Sequence, residues 1–221
     1  MNIKHIIFRY FLPLVVSFFG LSLINMIPAV QQVYYPFFEK ISLAALSNSQ
    51  PKMYFKAKKG TKDNPSNTNK ISLLFNSKRT LQKEINRSKA TGQPGNYQYA
   101  GFVLTIDETF IAPLIFFFSL LLVTPGQWTR KLLGFIVGTA LVLGFTYLTV
   151  RFKGFHNVAE SGVADVAYDA YDLKYYKLLH YAFSSVTSIT VVLLIWILVS
   201  FRKSQLKSFF PNPNHKTQSP A

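Results

Sequence analysis

Residues 132–150 read LLGFIVGTALVLGFTYLTV, nineteen residues without a charge, closed by Arg130 and Lys131 on one side and Arg151 on the other. A helix rises about 1.5 Å per residue, so about 20 apolar residues cross about 30 Å of hydrocarbon. The charges stop where such a helix would leave the bilayer, and this stretch reads as a membrane span. Three more uncharged runs flank it. Tyr10 to Phe38 has an apolar core at Phe11 to Val30, Thr109 to Thr129 has one at Phe110 to Val123, and Tyr181 to Phe201 is apolar almost throughout. The core of the second run has only 14 residues, which also fits a re-entrant or buried helix. Trp128 stands beside it where an interfacial aromatic belongs, and this favours a full crossing.

The rest of the composition agrees with this division. Of 221 residues 49% are hydrophobic and 15% charged, with 24 Lys and Arg against 9 Asp and Glu, a net of +15. So much apolar content excludes an intrinsically disordered chain. The absence of cysteine excludes a disulfide scaffold, a thiol nucleophile and a cysteine-ligated zinc or iron–sulfur centre. Charge and apolarity are segregated along the chain. Lys4 and Arg9 precede the first span, Arg130 and Lys131 join the second to the third, and Arg202, Lys203 and Lys207 follow the fourth. Short basic flanks stay in the cytoplasm, which predicts N-in, C-in topology. All nine acids fall in the two opposite loops, 31–108 and 151–180. The first of these loops also carries twelve Lys and Arg, but loops beyond about 60 residues translocate largely regardless of charge. The first span could instead be a cleaved signal peptide, with Ala29 as the best site; its apolar region is long for that role.

In the first loop, Gln31 to Leu46 reads as an aromatic-rich interfacial helix with Tyr34, Tyr35, Phe37 and Phe38. Met53–Lys58, Ile71–Phe75 and Tyr97–Ile106 read as strands, separated by polar turns at 60–69 and 92–96. Thr80 to Ser88 reads as a short helix with Thr80 as its N-cap. In the second loop Asp165, Asp169 and Asp172 recur at helical spacing beside Tyr168 and Tyr171. This stripe is a solvated face with a tyrosine belt, or a docking surface for the basic insert or a partner. Three carboxylates in helical register lack the loop carbonyls that calcium prefers. The tail from 208 onward, rich in Pro, Asn and Ser, is expected to be disordered.

Ionisable residues inside spans mark transport or catalysis, because burying one costs several kcal/mol. None of the four cores has one, and Asn25 is the only amide, a residue type that usually bonds to a neighbouring helix. His180 and Ser184 share a helix face, but no carboxylate is evident to orient the histidine. His156 and His180 lack a third metal ligand. No cofactor and no metal is expected. Gly134 and Gly138 form GxxxG, and Ala140 and Gly144 repeat the small-xxx-small spacing; both allow close helix approach within the bundle or to another membrane subunit. Basic residues alternate with aromatics only at 53–59, so nucleic acid is not the expected partner. The bilayer is, with a membrane protein beside it and an anionic lipid or envelope polymer at the basic insert.

Ala112-Pro113-Leu114-Ile115 opens the second span, and Thr124-Pro125 with Arg130-Lys131-Leu132-Leu133-Gly134 closes it. With the preceding aromatic stretch and β-like insert, this layout resembles the small integral membrane proteins associated with bacterial exosortases. The resemblance implies a non-catalytic partner of a membrane transpeptidase that sorts envelope proteins. The sortase itself uses a cysteine, which this chain lacks. The expected fold is a membrane all-α bundle of four transmembrane helices, with a small extracytoplasmic α+β insert between helices 1 and 2. Residues 1–30 hold the start and helix 1, 31–108 the insert, 109–201 helices 2–4, and 202–221 the tail. The expected function is an accessory or scaffold protein; a transporter or channel subunit and a membrane-embedded hydrolase or transferase are the alternatives.

Overall fold

The computed structural model of the chain describes residues 7–60, 69–95, 97–125, 127–163, 170–183 and 185–200. Among these residues it is mostly helical, with one three-stranded antiparallel sheet. A π-helical turn, Ile7–Phe11, leads into α1, Leu12–Asn25. The apolar run then breaks at Met26 and Ile27, and α2, Pro28–Ser47, leaves at 85° to α1. Proline crowds the residue before it out of the helical region, and Ile27 is extended at φ −69°, ψ 121°. The first apolar helix therefore stops at Asn25 instead of running to Val30. The aromatic-rich helix begins at Pro28, not Gln31.

Strands β1, Met53–Lys59, β2, Lys70–Ser77, and β3, Ala100–Thr105, lie in chain order in the sheet. Their side chains alternate except at the end of β2, where Phe75, Asn76 and Ser77 are all buried. Met53, Phe55, Ile71, Leu73, Phe75 and Leu104 are buried, while Tyr54, Lys56, Lys58 and Val103 face outward, as expected of an antiparallel sheet covered on one face. The third strand is shorter than the pattern Tyr97–Ile106 implies, and Tyr97 and Tyr99 stand exposed before it. Helix α3, Lys78–Thr91, is longer than Thr80–Ser88: Ser77 occupies the cap position and Thr80 lies inside the helix. No residue of α3 is buried. It stops at Gly92, whose φ of +66° lets its N–H return to the Ser88 carbonyl at 2.9 Å. A Cβ on Gly92 would meet no atom, so Gly92→Ala isolates the backbone cost. A loss of about 1 kcal/mol is expected, read as a lowered denaturant midpoint.

After β3 and a π-helical turn, Asp107–Ile111, come α4, Ala112–Val123, α5, Trp128–Glu160, α6, Ala170–Ala182, and α7, Ser185–Ser200. Helix α4, the shortest apolar core in the sequence, is central: α1, α5 and α7 all pack on it. It is apolar nearly all round, as suits a helix packed by several neighbours, though Ala112 and Leu122 stay exposed. Phe117 and Leu121 of α4 share a core with Val142 of α5 and with Val192 and Ile195 of α7. Helix α5 does not end at Val150. It runs 33 residues, roughly 50 Å, because Val150, Gly154 and Val158 recur every four residues and stay buried beyond Arg151. The second core gathers around this extension. It joins Phe38 and Leu46 of α2, Ile71 and Phe75 of the sheet, Phe110 above α4, and Val150 and Val158. Leu114 packs against both cores, so sheet and helices form one body.

Only α5 is by itself long and apolar enough to cross a bilayer among the described residues. The first two helices pass that test only together, as a pair bent by 85°, and residues Ser188–Ser200 make a shorter apolar helix.

Candidate functional site

Several polar contacts meet where α1 ends and the Asp107–Ile111 turn begins. The Asn25 side-chain amide, at the last residue of α1, donates to Asp107 Oδ1 at 3.3 Å. The Gln31 amide donates to the Asn25 carbonyl at 3.3 Å. From the sheet side, the Ile106 and Asp107 N–H groups donate to the Asn69 backbone and side-chain oxygens at 2.9 and 3.0 Å. These bonds tie the end of α1, the first turn of α2, the β1–β2 connection and the start of the second apolar segment at one place. Three aromatic rings close over it, with Tyr34, Phe37 and Phe38 each 5.5–6.5 Å from Phe110. Burial, helped by the Asp107 charge, raises the Tyr34 phenol above its ordinary pKa. Burial, with Glu39 beside it, pushes Tyr35 up to about 12. Both phenols are neutral at ordinary pH.

One residue on, Glu108 is solvent-exposed and is among the residues around an apolar groove of about 400 Å³. The groove lies between α1, the start of α4 and the start of α7. Its walls are apolar, among them Leu14, Phe18, Ala112, Phe116 and Ile189, and Ser188 is the other polar residue. Lys153 on the α5 extension is half-buried. Desolvation lowers its pKa, and the Glu108 carboxylate opposes that shift. No ion pair within 4.0 Å joins Glu108 to a described residue.

Of the residues singled out in the sequence, Asn25 belongs to this junction, with Tyr34, Phe37 and Phe38 of the aromatic stretch over it. Gly134 and Gly138 face the bundle: a Cβ on Gly134 would lie 3.3 Å from Leu121, and one on Gly138 would overlap the Phe117 ring. Ala140 and Gly144 turn outward, and a Cβ on Gly144 meets nothing. Asp165, Tyr168 and Asp169 lie outside the described residues, as does Ser184. Tyr171, Asp172 and His180 fall in α6, and their side chains are likewise outside what is described. Trp128 is exposed, with Lys131 over its ring at 5.3 Å. Among the described residues no three His, Asp or Glu side chains gather as a metal site.

The electrostatic influence of Glu108 on Lys153 is not legible in the sequence. The acidic couple Asp107-Glu108 just before an apolar run is a helix-start signature, but nothing local links it to a lysine 45 positions on. No protein-family model, curated protein or solved structure matches the chain.

Proposed function

We propose that this chain is a four-span protein of a bacterial inner membrane, N-in and C-in, that acts as a non-catalytic scaffold for a membrane partner. The observation that carries the reading is the belt of large apolar side chains left uncovered around the helices. Val16, Phe19 and Leu23 on α1, Leu132, Leu133 and Ile136 on α5, and Leu194 and Leu198 on α7 are all more than half exposed. A belt of that kind in water is an aggregation surface, and in hydrocarbon it costs nothing. The π-turn and α1 together reach roughly 28 Å, the Asp107–Val123 segment roughly 26 Å and α7 roughly 24 Å at about 1.5 Å per residue. These lengths suit a bilayer slightly thinned around the protein.

Scaffolding follows from the way the insert is mounted. Helix α3 presents Lys78, Arg79, Lys83, Arg87 and Lys89, buries no residue, and packs mainly on β2. Strand β2 starts beside Thr105 at the junction and ends, eight residues on, at α3. The basic helix is thus held at the end of the sheet away from the spans. That placement favours an acidic envelope polymer or partner protein over the bilayer's own lipids. The layout shared with exosortase-associated proteins makes an exosortase-type sorting system the partner proposed.

The native chain has no cysteine, so single cysteines at Ser49, Gln127 and Ser208 test the topology. An impermeant thiol reagent on intact cells should label Ser49→Cys alone; labelling of Gln127→Cys would overturn the orientation. Purification in mild detergent from its own membranes should bring down a stoichiometric membrane partner. A reproducibly solitary protein would overturn the scaffold reading.

A further inference from the structure

A cleft of about 590 Å³ opens between α3 and the residues that lead into β3, a volume within the range of small-ligand sites. Two hydrogen bonds build its wall on the β3 side. The Ser88 hydroxyl, in the last turn of α3, donates to the Gln93 carbonyl at 2.7 Å. The buried Asn76 amide, near the end of β2, donates to the Gln98 carbonyl at 2.6 Å. Gln93 is thus fastened to α3 and Gln98 to β2. Tyr97 and Tyr99, two positions apart, both line the cleft from this side and stay exposed. Gly95 backs the first ring: a Cβ on Gly95 would come within 2.7 Å of the Tyr97 Cζ. From the other side α3 presents Thr80, Glu84 and Arg87 at helical spacing. The Glu84 carboxylate and the Arg87 guanidinium stand 3.9 Å apart, too far for a hydrogen bond, so both keep capacity for a ligand.

This lining matches a sugar. A pyranose ring has a C–H face that stacks on an aromatic ring, and a rim of hydroxyls that each donate and accept. Tyrosines offer rigid, amphipathic contact area at low entropic cost. The amide, hydroxyl, carboxylate and guanidinium groups between them supply donors and acceptors. A bare anion would meet the Glu84 carboxylate, and an apolar ligand would leave the polar lining unpaired. Charge then chooses among sugars. Helix α3 carries Lys78, Arg79, Lys83, Arg87 and Lys89 against Glu84 alone, which favours a chain bearing acid groups. We propose that the cleft binds one or two rings of an acidic polysaccharide, stacked on Tyr97 and Tyr99, with the acid groups drawn to α3. This gives a chemical class to the acidic envelope polymer of the scaffold reading, and it rests on that reading only for the side of the membrane.

The full chain, in a zwitterionic detergent that has no sugar headgroup, is titrated calorimetrically with three probes. They are tetragalacturonate, the uncharged cellotetraose, and tetraglutamate, which has carboxylates without sugar rings. Tetragalacturonate should bind best. Cellotetraose should bind about ten-fold more weakly at low salt, and the gap should close near 1 M salt, where the Debye length is about 3 Å. Tyr99→Ala, at an exposed position, should weaken both sugars about ten-fold, the size expected of one lost aromatic contact. Tyr99→Phe keeps the ring and should stay within about three-fold of the native chain. Tetraglutamate binding as tightly as tetragalacturonate overturns the proposal, and so does sugar binding that is unchanged in both Tyr97→Ala and Tyr99→Ala. Absence of sugar binding, with Ser49→Cys labelled from outside, overturns the cleft assignment and leaves the four-span orientation standing. Sugar binding that depends on Tyr99, with Ser49→Cys not labelled, upholds the cleft and overturns that orientation.

Discussion

Gly138→Ala, the addition of one methyl group, is expected to lower stability by about 2 kcal/mol, within the usual range for overpacking. The new Cβ would overlap the ring of Phe117. That ring is fully buried in the core that α4, α5 and α7 share, so it has no solvent to swing into. Either α4 and α5 move apart or the ring leaves its rotamer, and each course loosens the contacts of Leu121, Val142 and Val192. Gly144→Ala is the internal control. It lies on the same helix six residues away, where a Cβ meets nothing, and alanine is the better helix former by roughly 0.5–1 kcal/mol. The two substitutions should shift thermal unfolding of the detergent-solubilised chain in opposite directions. Phe117→Leu, destabilising by itself, should make Gly138→Ala less costly by giving the methyl room, a non-additivity expected of residues in contact. Equal, small effects at Gly138 and Gly144 would show that α4 and α5 do not approach as described.

Phe38→Ala is expected to cost more, about 3–5 kcal/mol. Phe38 is fully buried, its ring lies 5.5 Å from Phe110, and it belongs to the core that joins α2 to the sheet and to Val150 and Val158 on the α5 extension. A domain stable by about 5–15 kcal/mol loses much of its margin in such a change. The loss should be local in its first consequence, because the Phe117 core contains no residue of α2. Limited proteolysis should therefore cut the insert faster around residues 48–52 while fragments from α4, α5 and α7 persist. Val33→Ala, on the same helix but at a side chain 78% exposed, should change resistance little, as surface substitutions do. If Phe38→Ala leaves the insert as resistant as Val33→Ala does, α2 is not what fastens the sheet to the helices.

These predictions draw on features that differ in how visible they were in the sequence. Strand alternation in MYFKAK and ISLLF placed β1 and β2 and their buried faces, because a period of two is a local property of side-chain direction. The helical insert segment and the turn at Gly92 were likewise local. The kink at Pro28 was locally encoded too, yet hydropathy averaged across it and carried the first run to Val30. The α5 extension was hidden for a different reason. Arg151 and Lys153 looked like the end of a span, and the spacing of Val150, Gly154 and Val158 gains its meaning only from Leu46 and the sheet that cover it.

The sequence by itself determined where apolar and charged residues part company, and so the number of apolar segments, the short basic flanks and the strands of the insert. Each of these depends on neighbours a few positions apart, and a bilayer-scale apolar run needs no tertiary information to be recognised. Only the tertiary structure decided that α4 is the centre of the bundle and that Gly138, not Gly144, is a contact. The same holds for Asn25 meeting Asp107 across 82 positions. Those are pairings between distant segments, fixed by which faces fill the space between helices. A one-dimensional pattern records a residue's polarity, but not the partner that packing brings to it.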